Sequence, residues 1–411
     1  MSKTFTIIGA GAAGIFAAIH AAENNPSLKV IVLEKTSKLL AKVRISGGGR
    51  CNVTHACYDI VEMSKRYPRG SNFVKKTFHR FFTTDTIKWY EDRGVKLKAE
   101  EDGRMFPITD SSQSIIDCLV REVNRLGIEI RMNADVKEIL YEEGKFRISL
   151  ADRRELKSDF VCVACGGFPK ASMFDWLIRT GHTIEDPVPS LFTFNLPSHP
   201  ITTLMGVSVG HAQVKIVGSK LESGGPLLIT HWGLSGPAVL RLSAWAARVL
   251  AASSWRFKII VNWMGEMNEK DLRDNFQFRR LNEAAHKVKG KNTLGLPQRL
   301  WEFFCDDAGI NDITRWADLK SKDENRLIRN LTTCEFSVEG KTTFKEEFVT
   351  AGGIQLSEID AQSMMSKLCP NLFFAGEILN VDGITGGYNF QHAWTSGFIA
   401  GTSVGKFSIQ E

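Results

Sequence analysis

Between a short apolar run and an alanine-rich stretch stands Gly9-Ala-Gly11-Ala12-Ala-Gly14, and this spacing constrains the fold more than any other feature of the chain. Phe5–Ile8 reads as a strand, Ile15–Glu23 as a helix, and Lys29–Leu33 as a second strand closing on Glu34. This is a βαβ unit in about thirty residues. In such a unit Gly9 permits the tight turn, Gly11 lets the backbone approach a pyrophosphate, and Gly14 lets helix and strand pack closely. The helix N-terminus offers N–H donors and a positive dipole end to phosphates, and Ala12 in the turn is an expected cofactor contact. Glu34 is placed to accept ribose hydroxyls, so the expected ligand is a dinucleotide whose adenosine ribose lacks a 2′-phosphate.

The rest of the chain is compatible with a large globular enzyme. Its 411 residues are 43% hydrophobic and 24% charged, which excludes a disordered or fibrous class. Lys+Arg 52 against Asp+Glu 46 leaves a net charge of +6, enough for an anionic ligand but too little to argue for nucleic acid. The eight cysteines are scattered, as expected of reduced thiols. Cys162 and Cys165 form the only CxxC, on a strand running into a glycine turn, and no second pair completes a zinc site, so no metal is expected. The chain moves straight into a strand at Phe5 without a signal-like segment, and its longest apolar helical stretch, 236–252, carries Arg241 and Arg248. A soluble cytoplasmic protein is the expectation.

Helices are expected over 75–82, 84–93, 113–126 and from about 388 to 401, with strands at 128–131, 136–141, 146–150 and 160–164. Pro187, Pro189, Pro197 and Pro200 mark a change of texture. Short β-runs follow at 192–195, 213–217 and 258–261, then a polar helical region, then β-runs at 334–339 and 348–351. The expected organisation is one discontinuous α/β domain, residues 1–190 and 345–411. It is interrupted by a β-rich insert (191–265 and 332–344) and a helical subdomain (266–331).

Two further glycine motifs favour FAD over NAD. Ser46-Gly47-Gly-Gly49-Arg50-Cys-Asn52 follows the second strand, and Gly376-Glu377 through Asp382 to Gly386-Gly387-Tyr388-Asn389 precedes the last helix. A C-terminal segment returning to the nucleotide domain suits a long flavin cofactor. The Gly386-Gly387 turn would set a helix N-terminus near the flavin N1–C2=O edge, where it favours the reduced form. Together with Gly103-Arg104-Met-Phe-Pro107 and Thr230-His231-Trp-Gly-Leu-Ser-Gly-Pro237, these motifs resemble the YhiN-like bacterial NAD(P)/FAD-dependent oxidoreductases, which include aminoacetone oxidase-like and bile-acid-inducible flavoproteins. The resemblance covers essentially the whole chain. It implies a non-covalent FAD in a glutathione-reductase-like Rossmann domain, with an inserted β-barrel domain and a helical subdomain. It also implies FAD contacts at Gly11, Gly14, Glu34, Lys35, Lys42, Ser46, Gly49, Asn52, Val136, Gly376, Asp382, Gly386, Gly387 and Asn389, with Ala164 and Gly166 at the sheet end beside the cofactor. The sequence departs from the pattern twice: Leu40-Ala41-Lys42 stands where the family tends to carry Gly-Arg-Lys, and His55 where it often has Asn.

No second GxGxxG follows a strand between 150 and 350, so NAD(P)H would dock transiently and oxygen is an equally open acceptor. His231 is the leading acid/base candidate, with Arg50 and Arg104 to orient a substrate carboxylate. His392 and Cys51 read as packing residues. The stretch Lys65, Arg66, Arg69, Lys75, Lys76, Arg80 interleaves Tyr67, Phe73, Phe78, Phe81 and Phe82 without an acid. It reads as a solvated basic face over a buried apolar one, with an RNA footprint as the alternative. A small-molecule substrate is expected; a flavoprotein acting on RNA and a non-catalytic flavin-binding protein are the other readings.

Overall fold

The computed structural model describes residues 2–290, 292, 294–342 and 349–410; the start of the β-run expected at 348–351 lies outside them. The chain divides into two compact units, residues 1–190 with 344–411, and residues 191–343.

The first unit is built on a five-stranded parallel sheet in the order Leu372–Phe374, Phe160–Val163, Thr4–Ile8, Lys29–Leu33, Glu129–Arg131. Apart from the edge strand Glu129–Arg131, its strands are nearly uniformly buried and apolar, as a sheet covered on both faces requires. The first helix, Ala12–Asn24, is alanine-rich because it packs against the last helix, Tyr388–Gln410, at close range. A Cβ on Gly397, Gly401 or Gly405 would lie 2.5 Å from the Ala13 carbonyl, 2.2 Å from that of Ala17 and 2.6 Å from Asn24 Cβ, respectively. The contacts advance in the same direction along both chains, so the helices run parallel. Their N-termini therefore point to the same end of the sheet, the end where its strands finish. The last helix continues nine residues beyond the expected stop at Gly401, since that glycine is there for contact and not for termination.

Smaller antiparallel sheets cover this unit. One contains Thr54–His55, Arg104–Pro107 and Leu97–Ala99, and another Val136–Glu142, Lys145–Leu150 and Glu155–Ser158. Of the basic stretch, only Lys75 and Lys76 lie in a helix, Ser71–Phe78, which starts four residues earlier than expected; there Phe73, Val74, Thr77 and Phe78 are buried and the two lysines exposed.

The second unit carries a seven-stranded antiparallel sheet. Its two ends are one piece of chain: Cys334–Glu339 pairs with Arg256–Asn262, and after Gly340, at φ +86°, Lys341–Thr342 pairs with Thr193–Asn195. The sheet thereby returns on itself as a barrel. The helices Glu269–Asn282, Gln298–Asp307 and Ser321–Thr332 share its core. Phe276, Leu300, Trp301, Phe304, Leu327 and Leu331 belong to one buried cluster with Val214, Ile259, Val261 and Phe336. Among the described residues no helix is long and apolar enough to cross a membrane, and no group of three or more His, Cys, Asp or Glu could hold a metal ion.

Candidate functional site

The first glycine turn stands where the strand Thr4–Ile8 ends. Gly9 N donates to the Leu33 carbonyl at 2.8 Å. A Cβ on Gly9 would sit 2.5 Å from the Ala164 carbonyl, and one on Gly14 would sit 2.0 Å from that of Gly9, so both positions are closed to side chains. Gly11 differs: a Cβ there would meet nothing within 4 Å. Gly11 is also the N-cap of the first helix, which receives no side-chain cap. The N–H groups that open this helix thus face space instead of protein, which fits a pyrophosphate.

Glu34 lies beside this turn. Its Oε2 accepts from Ala10 N at 3.0 Å, and its Oε1 accepts from Thr36 N at 2.9 Å and from Thr36 Oγ1 at 2.8 Å. Ala134 N donates to the Glu34 carbonyl at 2.8 Å, which brings the start of the Val136 strand alongside. Gly11, Glu34 and Val136 therefore share one edge, as the adenosine half of FAD requires. Lys35 is exposed. Glu34→Gln keeps the side-chain size and removes the charge. FAD occupancy of the purified protein, read as the ratio of flavin to protein absorbance, is expected to fall several-fold, and an unchanged ratio would remove the ribose assignment.

Across the turn, Ala164 N donates to the Ile8 carbonyl and Ala375 N to that of Val163. This brings Gly166 and Gly376 to the same sheet end. Glu377 bridges to Lys42 Nζ at 2.6 Å and accepts from Thr350 N at 2.9 Å, close to Gly166 and Gly167. His392 Nε2 lies 3.3 Å from the Gly376 carbonyl, and burial pulls its pKa down to about 4, so it is neutral and packed. Ser46 Oγ donates to the Val43 carbonyl. Gly47, Gly48 and Gly49 all have positive φ and kink the end of the helix Ala41–Gly49; Gly47 packs on Phe106, whereas Gly49 is open.

The loop containing Asn52 and the turn before the last helix meet directly. With its amide oriented to satisfy both ends, Asn52 accepts from Gly387 N at 2.9 Å and donates to the Thr54 carbonyl at 3.0 Å. Gly387 must be glycine: at φ +92° its Cβ would fall 2.4 Å from the Thr54 carbonyl. Asn389 closes the same turn by bonding both the N–H and the carbonyl of Gly383. Tyr67 Oη donates to the Tyr388 carbonyl at 2.6 Å. Asn52, Gly387, Tyr388 and Asn389 thus hold the shape of the turn.

Several candidate side chains have protein partners of their own. Asp382 is fully buried, and its carboxylate takes both Arg69 and the Ser190 hydroxyl. Burial raises its pKa against the pull of Arg69. Arg50 pairs with Glu100 at 2.6 Å and lies 3.9 Å over the Phe106 ring, and Arg104 pairs with Asp102 and Glu100. Glu100 engages both guanidiniums, from fifty residues away for Arg50 and from four for Arg104. His231 belongs to the second unit, exposed at a strand turn with its ring against Trp232. Burial pushes the Cys51 thiol up to about 12, and Cys165 likewise, which keeps both from redox chemistry as thiolates.

One residue not singled out from the sequence stands at the centre of this arrangement. His55 Nδ1 lies 3.0 Å from the Gly386 carbonyl, and its ring stacks on Tyr388 with centroids 4.7 Å apart. Its sequence signal is its place three residues beyond Asn52, at the end of the glycine-loop motif.

A parallel sheet with an open phosphate turn, an acidic second strand end and a returning C-terminal helix defines a flavin-dependent oxidoreductase of the Rossmann type. The chain belongs to the family described as HI0933-like protein Rossmann domain, whose model matches residues 3–403. It is 28% identical over 409 residues to a 3-dehydro-bile acid Δ(4,6)-reductase of Clostridium scindens, covering 97% of this chain and 98% of that one. It is 29% identical over 399 residues to a ribosomal RNA dihydrouridine synthase of Escherichia coli, covering 95% of each. The fold is shared with the 3-ketosteroid-Δ4-(5α)-dehydrogenase of Rhodococcus jostii, at TM-score 0.53 and 14% identity over 98% of this chain and 97% of that one.

Proposed function

We propose that the protein uses FAD to reduce a carbon–carbon double bond conjugated to a carbonyl. The observation that carries the cofactor half is the open, uncapped helix start at Gly11 beside the Glu34 carboxylate. The reaction half is supported by the chemistry that the two relatives have in common. A Δ(4,6)-reductase of a 3-dehydro bile acid and a dihydrouridine synthase each saturate a C=C bond activated by a neighbouring carbonyl. FAD, when bound and reduced by NAD(P)H, would supply the hydride to one carbon of the double bond, and a proton from solvent would complete the other. The chain's own groups hold its ends: the N–H groups after Gly11 the pyrophosphate, Glu34 the ribose, and the Gly386-Gly387 turn the redox edge. NAD(P)H serves as a transient donor in this reading, since no second GxGxxG follows a strand between 150 and 350.

A uracil base within RNA is the substrate that one further observation favours. Lys65, Arg66, Lys75, Lys76 and Arg80 are exposed. The stretch is fixed beside the candidate site, because Ile384 N donates to the Arg66 carbonyl at 3.0 Å, two residues before Gly386. The solvated basic face expected from the sequence is thus available to a phosphate backbone. Binding of a ribosomal RNA fragment is expected to weaken steeply with salt. Lys75→Glu with Lys76→Glu should reduce the log–log slope by roughly 0.7–0.9 for each phosphate that the variant no longer neutralises. RNA that fails to bind at physiological salt, or binds the double variant with an unchanged slope, would return the substrate to the small-molecule class.

A further inference from the structure

The imidazole of His55 is enclosed on three sides. It projects from the strand Thr54–His55, which pairs with Arg104–Pro107. On one side lies Gly103, where an added Cβ would come within 2.6 Å of Nε2. On the other the ring stacks on Tyr388, at 25° between planes. At its edge Nδ1 meets the Gly386 carbonyl at 3.0 Å. A carbonyl can only accept, so Nδ1 carries the proton and the tautomer is fixed. In the neutral ring Nε2 is then the unprotonated nitrogen, and among the described residues it has no hydrogen-bond partner. The charges facing the ring are Asp102 from the adjoining turn, Arg66 from the basic stretch and Arg104 from the paired strand.

We propose that His55 is a positioning residue for the flavin, holding the Gly386-Gly387 turn through Nδ1 and Tyr388 and placing a titratable ring beside the turn that leads into the last helix. This rests on the FAD reading above. Two functions are combined in one ring. The donor at Nδ1 fixes the carbonyl whose peptide leads into the last helix, so the orientation of that helix start depends on it. Nε2 gives the ring a second, reversible protonation. Desolvation lowers the His55 pKa below the ordinary histidine value while the site is neutral. A negative charge developing beside the ring on reduction would raise it again. Between those two pKa values, reduction of the holoenzyme takes up a proton at His55 in addition to those taken up by the flavin.

Two substitutions separate the roles. His55→Asn can keep a donor to Gly386 without titrating; His55→Ala removes both functions. The measurement is the flavin midpoint potential of the holoenzyme by dye equilibration from pH 5 to 8, with FAD retention in dialysis as a second readout. The wild type is expected to show a steeper dependence of potential on pH than His55→Asn in the acidic half of this range, by up to one proton per electron pair. His55→Asn is expected to retain FAD as the wild type does, and His55→Ala to lose it several-fold faster. Potentials and retention that coincide for all three proteins would overturn the inference and leave the FAD reading intact. A wild type that binds no FAD would instead remove the reading beneath it.

Discussion

Gly11→Ala is expected to yield a folded protein that does not hold FAD. The methyl group meets no protein atom within 4 Å, and the position has φ −85°, open to any residue. The apo-protein therefore loses at most about 1 kcal/mol, the difference between glycine and alanine at a helix N-cap. The same methyl stands in the space before the Ala12 and Ala13 N–H groups, where the pyrophosphate must come within hydrogen-bonding distance. Flavin affinity is expected to fall at least tenfold, about 1.4 kcal/mol, and to far below stoichiometric occupancy after purification. Gly14→Ala is the contrasting control. Its Cβ would lie 2.0 Å from the Gly9 carbonyl, so it should disturb folding itself. Thermal melts of the two apo-proteins beside their flavin content distinguish a ligand-facing glycine from a packing one.

The second large effect is expected at Arg69→Met. Asp382 is fully buried, and Arg69 and Ser190 are its hydrogen-bond partners. Removing the guanidinium leaves a buried carboxylate without its counter-charge, a loss of about 3–5 kcal/mol near neutral pH. The sign of its pH dependence follows from Asp382, whose pKa is already raised by burial in the parent. The folded protein binds a proton there more tightly than the unfolded chain does. Ionisation therefore opposes folding, and stability from this group falls as pH rises from the unfolded value through the folded one. Without Arg69 the folded value rises further. The deficit of the variant should shrink on acidification, as Asp382 becomes neutral in both proteins. Urea midpoints of parent and variant at pH 5 and pH 8 test this; a deficit independent of pH would show that packing, not charge, holds Arg69 in place. Because Ser190 stands at the end of the first unit and its N–H donates to the Val349 carbonyl, this network also ties down the places where the chain leaves and re-enters that unit.

What could be read from the sequence follows the range of the interactions. The βαβ unit was legible because Gly9, Gly11, Gly14 and Glu34 are set by local spacing. So was the basic helix, whose buried Phe73, Val74, Thr77 and Phe78 follow helical periodicity. The strand Glu222–Thr230 was not, because Gly224-Gly225-Pro226 reads as a breaker; its pairing with Ser208–Ile216 on one side and Gly233–Ser235 on the other overrides that local preference. The site was legible in its glycines and obscure in its side chains. His55 meets Gly386 across 331 residues and Arg69 meets Asp382 across 313. No spacing rule joins such partners. Arg50 invited a substrate role because Glu100, the acid that engages it, lies fifty residues away and meets it only in the fold, whereas the partners of Arg104, Asp102 and Glu100, are local.

The most direct test of the proposed reaction is anaerobic. The FAD-loaded protein is reduced by NADH, NADPH or dithionite in the absence of oxygen, then mixed with a ribosomal RNA fragment or with a 3-keto-4,6-diene bile acid, while the flavin absorbance is followed. One of these acceptors is expected to restore the oxidised spectrum and to emerge with its conjugated double bond saturated, one equivalent per flavin. A flavin that stays reduced with both and returns only on admission of oxygen would contradict the proposal.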